Sequence, residues 1–279
     1  VIRDGEFIKT LNASETNIDE IISLMVGRQV GHDQRPTPRK LSGNTVLKVE
    51  NFSTKFLLKD VSFELKEGEI LGFAGLMGSG RTELARALIA ADPKTSGKVI
   101  FKDKEVNIES PADAVDAGIG YLSEDRKKYG LLLIQDVTFN IAVASLRKFT
   151  NKFGFYKKSP AVGIAKEGIK TLGIKTPSER QFLKNLSGGN QQKVVISKWL
   201  ARDCEVLIFD EPTRGIDVGA KDEIYKLLTR LASEGKSVIM ISSELPEVLR
   251  LSDRIAVMCE GRLTGIVENK DADQNSLMQ

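Results

Sequence analysis

The residues GLMGSGRT, at positions 75–82, decide the fold of this chain. An apolar run at 70–74 (ILGFA) leads directly into them, and a helical pattern follows at 82–91. The stretch fits G-x-x-x-x-G-[KR]-T, whose glycines allow the turns that aim successive N–H groups at phosphate oxygens. A strand, this loop and a helix together predict a phosphate-binding loop. Its residues are Gly75, Leu76, Met77, Gly78, Ser79, Gly80, Arg81 and Thr82.

An apolar run that ends in two acids, VLIFDE at 206–211, supplies the partners that such a loop needs. The Thr82 hydroxyl is placed to ligate Mg²⁺, and Asp210 to hold the same ion directly or through water. Glu211 is the candidate catalytic residue, because it could polarise the attacking water. Arg81 takes the position at which phosphate loops usually have lysine, and its planar guanidinium prefers bidentate geometry. We therefore expect phosphate binding to survive better than catalysis.

A second loop, LSGGNQQ at 186–192, lies between these two motifs. A Ser-Gly-Gly sequence that opens a helix exposes backbone N–H groups at the positive end of the helix dipole, which suits an anion. An anion delivered here from outside the domain indicates a nucleotide shared between two domains. We call the following residues the Ser-Gly-Gly turn: Leu186, Ser187, Gly188, Gly189 and Asn190.

Composition excludes several classes of function. The net charge of +3 over 279 residues predicts no nucleic-acid partner. The longest apolar runs, such as 131–134, fall far short of the roughly 20 residues that span a membrane. Any membrane role is therefore expected to act through a partner. Cys204 and Cys259 lack metal-ligand spacing and are predicted to be buried thiols.

The pattern of elements predicts an α/β fold. Strands that alternate with helices indicate a mainly parallel sheet covered on both faces. From residue 45 the chain has a short β-rich start, and from about 136 to 203 helical patterns dominate. The helical interval is interpreted as an inserted subdomain that carries the Ser-Gly-Gly turn.

The two ends of the chain are similar to each other. Residues 1–8 (VIRDGEFI) can be laid over 257–264 (VMCEGRLT), and a Leu-Met pair follows each, at 24–25 and 277–278. Any two hairpins look alike over so short a match, but we favour a repeat. Residues 1–31 are then the C-terminal tail of a preceding homologous domain, and 32–44, rich in proline and charge, the linker. Residues 45–279 form the nucleotide-binding domain.

Five motifs, in this order, resemble the ATPase domain of ABC transporters: GLMGSGRTEL, SEDRKKYGL, LSGGNQQK, DEPTRGIDVGAK and ISSELPEV. The resemblance covers essentially all of 46–267. More narrowly, these motifs are similar to the second ATPase domain of tandem, ribose-type sugar importers. The resemblance implies a P-loop NTPase of the ABC type, with a mainly parallel sheet core, an antiparallel β subdomain and the inserted α-helical subdomain.

The resemblance also assigns residues that the motifs alone do not. Glu124 stands where most members have a glutamine that touches Mg²⁺, and could still ligate the ion with an added negative charge. Ser243 replaces a histidine that contacts the γ-phosphate, and can hydrogen-bond but supplies no imidazole. Phe56 best matches the aromatic that stacks on adenine, although a core position is equally expected. Asp217 belongs to the loop between the two domains.

The resemblance implies a function, for which we weigh three hypotheses. The first hypothesis is an ATP-hydrolysing engine, with Mg²⁺, that drives monosaccharide import; ribose comes first, and galactose, xylose or a nucleoside remain open. The second is a catalytically weak domain that mainly completes the preceding domain's ATP site. A soluble ABC ATPase of translation or repair is a third possibility, disfavoured by the narrower motifs. The isolated chain is expected to bind MgATP and hydrolyse it slowly.

The resemblance implies partners and a location as well. The partners are the preceding ATPase domain of the same chain, membrane permease subunits and, through them, a periplasmic or extracellular sugar-binding protein. The location is the cytoplasmic face of the inner or plasma membrane, peripherally attached. Residues 124–131 are a candidate permease-facing hinge, with ordinary exposed charge as the equal alternative.

Overall fold

A computed structural model describes residues 1–3, 5–26, 39, 41–152 and 155–277. Its strands are β1 (Ile2–Arg3), β2 (Glu6–Phe7), β3 (Thr45–Thr54), β4 (Val61–Lys66), β5 (Ile70–Ala74), β6 (Lys94–Phe101), β7 (Lys104–Glu105), β8 (Ile119–Leu122), β9 (Val206–Asp210), β10 (Ser237–Ile241), β11 (Arg254–Cys259) and β12 (Arg262–Glu268). Its α-helices are α1 (Ile18–Val26), α2 (Arg81–Leu88), α3 (Pro111–Asp116), α4 (Val137–Ala142), α5 (Lys158–Leu172), α6 (Gly188–Ala201), α7 (Val218–Ser233) and α8 (Leu245–Leu251).

The central sheet has the order β12-β11-β5-β10-β9-β8. Strands β11, β5, β10, β9 and β8 run parallel, and β12 adds an antiparallel edge. Every residue of β5, β9 and β10 is buried, as expected for parallel strands covered on both faces. This order places the carboxyl ends of β5, β9 and β10 side by side, and the two sequence motifs at 75–82 and 206–211 therefore meet at one edge. The predicted α/β fold is confirmed.

A smaller antiparallel sheet has the order β4-β3-β6-β7 and packs against the central one. Strand β4 alternates buried and exposed residues, because one face meets the core and the other meets solvent. The rings of Phe63 and Phe73 join the two sheets edge to face, with centroids 5.2 Å apart. Strand β6 was not expected, because its sequence KTSGKVIF is too polar and glycine-containing to show a strand pattern.

The helices α4, α5 and α6 lie between β8 and β9 in sequence, in the interval predicted to be helical. Helix α4 begins where the Asp136 side chain accepts a hydrogen bond from Phe139 N at 2.7 Å. Helix α5 ends at Gly173, which adopts the left-handed conformation of a C-cap. The only tryptophan in the sequence, Trp199, lies on α6 and packs against Gly120 of β8. The helical insertion is thus attached directly to the edge of the central sheet.

The N-terminal segment forms the hairpin β1–β2 followed by α1. Its turn and that of the β11–β12 hairpin each contain a glycine in the left-handed region, Gly5 and Gly261. This agrees with the strand, turn and strand expected at both ends, and the assignment of 1–31 to a preceding domain stays a prediction. Most of the predicted linker, residues 32–38 and 40, lies outside the described residues, as does Met278. Arg39 is described, and its guanidinium binds the Asp253 carboxylate at 2.5 Å.

The structure also bears on the predictions for the two cysteines, the end of α2 and membrane spans. Cys204 is buried as predicted, but Cys259 is exposed at the end of β11, where strand alternation turns its side chain outward. Helix α2 ends at Leu88 instead of residue 91, because Ala90 adopts a positive φ of 53°. In the described part of the chain, no helix has the length and apolar character needed to cross a membrane.

Candidate nucleotide-binding site

The loop at 75–80 leaves β5 and turns into α2 at the carboxyl edge of the sheet. Its turn is held by Ser79 N donating to Leu76 O at 3.0 Å, and Gly261 N donates to Ser79 O at 2.9 Å. A side chain at Gly75 would come within 2.4 Å of the Met258 carbonyl oxygen, so only glycine fits there. The Ser79 hydroxyl is buried and has no hydrogen-bond partner among the described residues. An unpaired buried hydroxyl in this loop suits an oxygen-rich ligand.

A cavity of about 700 Å³ opens over this loop. Five segments surround it: the loop and the start of α2, the residues after β8, the loop after β9, the first turn of α7, and the loop after β10. The cavity brings together most of the predicted phosphate-loop residues with Glu124, Glu211 and Ser243. Its lining residues are Met77, Gly78, Ser79, Gly80, Arg81, Thr82, Glu83, Glu124, Glu211, Thr213, Arg214, Gly215, Ile216, Lys221, Ser243 and Glu244.

Asp210 lies beneath this cavity and is 1% exposed. Thr82 Oγ1 donates to its Oδ1 at 3.0 Å, and the Tyr121 hydroxyl donates to its Oδ2 at 2.8 Å. Burial raises the pKa of Asp210, while the hydrogen bonds from Tyr121 and Thr82 oppose that rise. Tyr121 was not predicted from the sequence; the polar tip of a tyrosine on a short buried strand was the available signal, because it needs a partner.

The predicted metal ligands are Thr82, Asp210 and Glu124. The described residues contain no group of three or more His, Cys, Asp or Glu that could hold a metal ion by themselves. Mg²⁺ in phosphate-transfer sites needs only one or two protein oxygens, since substrate phosphates and water complete its shell. The adjacent oxygens of Thr82 and Asp210 fit that requirement. The Glu124 carboxylate instead forms an ion pair with Arg214.

Glu211 follows β9 with a positive φ of 50° and is held by its N–H, which donates to Ile241 O at 2.9 Å. Ser243 Oγ donates to Glu211 Oε2 at 3.1 Å. Burial raises the pKa of Glu211, and the Ser243 hydrogen bond and the Arg81 charge partly offset the rise. A carboxylate with a raised pKa beside this cavity is suited to general-base work.

Arg81 is 8% exposed, and its guanidinium donates to the Ser242 carbonyl at the end of β10. Burial lowers its pKa, and the neighbouring Glu211 and Asp210 charges counter the shift. The side chain is therefore fixed to the loop after β10. A lysine would present a compact charge at this place, whereas the guanidinium is tied to a backbone oxygen.

The Ser-Gly-Gly turn opens α6, with Ser187 at the N-cap and the glycines in the first turn. Asn190 Nδ2 donates to Ser187 Oγ at 2.9 Å, so the Ser187 side chain is occupied within the turn itself. No side-chain cap takes the first N–H groups of α6 in the described part of the chain. A side chain at Gly189 would meet Ala220 Cβ of α7 at 2.8 Å, which explains the need for glycine. The cavity described above is lined by none of these five residues.

Phe56 and Asp217, like Gly75 and Leu76, are not among the residues that line the cavity. Phe56 is 87% exposed, so the alternative of a core position is wrong; it lies between β3 and β4, with the Lys55 ammonium 5.3 Å from the centre of its ring. Its stacking on adenine stays a prediction. Asp217 caps α7, where its carboxylate accepts a hydrogen bond from Ala220 N at 2.9 Å. Asp217 therefore fixes the start of the helix against which Gly189 packs.

Comparison with known proteins identifies similar sequences. The family model for ABC transporters matches residues 58–214. A putative ribose/galactose/methyl galactoside import ATP-binding protein of Burkholderia lata is 53% identical over 279 residues, covering all of this chain and 54% of that protein. The ribose import ATP-binding protein RbsA of Clostridium perfringens is 50% identical, covering all of this chain and 56% of that protein. The chain thus spans about half the length of these relatives.

Solved structures have the same fold. A nucleotide-free ATP-binding cassette from an ABC transporter superposes with a TM-score of 0.72 at 21% identity, over 84% of this chain and 96% of that one. The dimeric post-hydrolysis state of the cassette MJ0796, bound to ADP and phosphate, superposes with a TM-score of 0.67 at 21% identity, over 80% and 98%. At these identities the likeness concerns the fold.

Proposed function

Because this chain belongs to the ABC transporter family, we propose that it binds ATP over the loop at 75–82 and hydrolyses it to drive import of a monosaccharide. One observation carries the proposal: the cavity over that loop is bordered by Glu211 and lies above the Thr82–Asp210 pair. Backbone N–H groups of the loop and the unpaired Ser79 hydroxyl would take the phosphates.

Each side chain then has a role. Thr82 and Asp210 would hold Mg²⁺, which neutralises phosphate charge when bound. Glu211, its carboxylate held by Ser243, orients the attacking water and accepts its proton. Glu124 would serve the ion only after leaving Arg214. Phe56 would stack on the adenine from its exposed position.

A second candidate is a domain of weak turnover that mainly completes the ATP site of a preceding ATPase domain. Three features of this chain favour it: Arg81 is tied to a backbone carbonyl, Glu124 is paired, and a serine stands at position 243. The Ser-Gly-Gly turn has its helix start uncapped and thus offers N–H groups to a nucleotide held by another domain. Both functions can hold in one assembly.

The names of the relatives support ribose and galactose as candidate substrates. Ribose is the first candidate, with galactose, xylose or a nucleoside as alternatives. We propose that the chain works beside the preceding ATPase domain, on membrane permease subunits and with a sugar-binding protein, at the cytoplasmic face of the membrane. ATP would close the two ATPase domains and hydrolysis would reopen them, moving the permease. Asp217 would lie in the loop between the domains.

The first test is nucleotide binding and turnover by the purified chain. Isothermal titration with MgATP should show one site, and single-turnover assays should show slow hydrolysis. No binding would contradict the ATP site, and rapid turnover would contradict the second candidate. In the assembled transporter, Ser187→Arg should abolish ribose uptake while leaving MgATP binding by this chain unchanged. Normal uptake in that variant would refute the shared site.

A further inference from the structure

Glu247 lies on α8 and has no role in the site described so far. Beside that site, its carboxylate accepts four side-chain hydrogen bonds. Glu247 is 3% exposed. Its Oε1 accepts from Thr213 Oγ1 at 2.6 Å, Tyr225 OH at 2.5 Å and Lys221 Nζ at 3.1 Å, and its Oε2 accepts from Ser242 Oγ at 2.8 Å. Four donors on one buried carboxylate require explanation, because burial of a charge is costly unless it is fully paired.

The donors belong to three separate segments. Thr213 lies in the loop after β9, Lys221 and Tyr225 lie on α7, and Ser242 lies in the loop after β10. A carboxylate is an acceptor at all its lone pairs, whereas an amide of the same shape must donate from one side. An acid of this length accepts from the hydroxyl groups of both loops at once, whereas an amide would have to donate to one of them and reverse that hydrogen bond.

Both loops carry groups of the proposed hydrolytic site. Thr213 comes two residues after Glu211. The backbone carbonyl of Ser242 accepts from the Arg81 guanidinium, and the next residue, Ser243, donates to Glu211. The Glu247 carboxylate thus fixes the loop that bears the proposed base and the loop that holds both the base and Arg81.

We propose that Glu247 is a positioning residue for hydrolysis, which sets the geometry of Glu211 and Arg81 by holding the loops after β9 and β10 together. This inference rests on the proposed ATPase function. It assigns Glu247 no contact with the nucleotide. Its loss should therefore lower the rate of hydrolysis and leave MgATP affinity nearly unchanged.

Single hydroxyl deletions separate positioning from mere stability. Thr213→Val and Ser242→Ala each remove one hydrogen bond between Glu247 and a loop. Tyr225→Phe removes a bond to the same carboxylate from α7, and its ring stays over Arg250, 4.7 Å from the guanidinium carbon. Tyr225→Phe is the matched control, because it weakens the cluster without touching either loop.

The experiment measures single-turnover hydrolysis, MgATP affinity and thermal unfolding for these variants and for Glu247→Gln in the purified chain. We expect Glu247→Gln, Thr213→Val and Ser242→Ala to lower the hydrolysis rate about tenfold or more, with affinity within about twofold, since small misplacements of reacting groups slow catalysis strongly. Tyr225→Phe should lower the melting temperature and keep the wild-type rate. Equal losses of rate in all four variants, or losses of stability alone, would overturn the proposal.

A second readout does not depend on hydrolysis. The ¹⁵N resonance of the Arg81 guanidinium reports its bond to the Ser242 carbonyl. This resonance should shift in Glu247→Gln and stay in place in Tyr225→Phe. An unchanged Arg81 resonance in Glu247→Gln would contradict positioning whatever the activity. Failure of the wild-type chain to bind or hydrolyse ATP would instead contradict the proposed function.

Discussion

The loop at 75–82 and the Ser-Gly-Gly turn both place backbone N–H groups at the start of a helix, but their side chains behave differently. Around the first, side chains are bound to groups of other segments: Arg81 to the Ser242 backbone carbonyl, Glu124 to the Arg214 side chain, and Ser243 to the Glu211 side chain. At the turn, the Asn190 side chain donates to Ser187 Oγ and accepts from Lys175 N, and the glycines pack against α7 and its preceding loop.

The two sites are expected to respond differently to substitution. A site built on backbone N–H groups depends on close packing of the loop and on the position of the helix start. Glycines preserve both. A site built on side chains changes its chemistry with each substitution. The resemblance marks positions 81, 124 and 243 as departures from the family pattern, and all three line the cavity of the side-chain site.

The strongest test of this contrast is Glu211→Gln. Glutamine keeps the size and the contact with Ser243 but cannot take a proton, so the single-turnover rate should fall about 100-fold or more. MgATP affinity should stay within about threefold. Glu64→Gln, an exposed carboxylate on β4, is the control and should keep the wild-type rate. Equal rates for Glu211→Gln and wild type would show that this side chain carries no catalysis here.

Arg81→Lys should reverse one of the alterations. Lysine is a compact point charge that is not committed to bidentate geometry, so it can reach a phosphate in place of the Ser242 carbonyl. We expect hydrolysis to rise about tenfold, which corresponds to about 1.4 kcal/mol of barrier. Arg86→Lys, on the same helix but paired with Asp92, should change nothing. A lower rate in Arg81→Lys would mean that the arginine is an adaptation for turnover.

Ser243→Ala should have the smallest effect, seen in the pH profile. Glu211 must be ionised to act as a base, and its pKa is already raised by burial, while the Ser243 hydrogen bond lowers it. Removing that bond raises the pKa further, so the acid limb of the hydrolysis rate moves to higher pH. The rate near pH 6 should drop about threefold, and the rate near pH 8.5 should change little.

The control for this profile is Ser233→Ala, whose hydroxyl donates to Arg230 O at the end of α7. It should keep the wild-type acid limb. A shift of the limb to lower pH in Ser243→Ala would contradict the assigned direction of the hydrogen bond to Glu211.

The sequence predicted what depends on local pattern. The apolar strand β5, the glycine loop and the start of α2 follow one another within about twenty residues, and each has its own signature. Pairs of residues that only the fold brings together could not be predicted from the sequence. Glu124 and Arg214 are ninety residues apart, and Tyr121 and Asp210 are eighty-nine apart, so no local spacing indicates either pair. Glu247 lay within a recognised motif, but the four donors that surround it come from three segments.

The packing of Trp199 against Gly120 gives the chain an optical reporter. Trp199 is the only tryptophan, it lies on the helix that begins at the Ser-Gly-Gly turn, and it faces the edge strand β8. The Lys198 ammonium lies 4.5 Å from the centre of its ring. Any rotation of the helical insertion against the sheet changes the polarity and the neighbouring charge that this indole experiences. Its intrinsic fluorescence can therefore follow that movement in real time without a label.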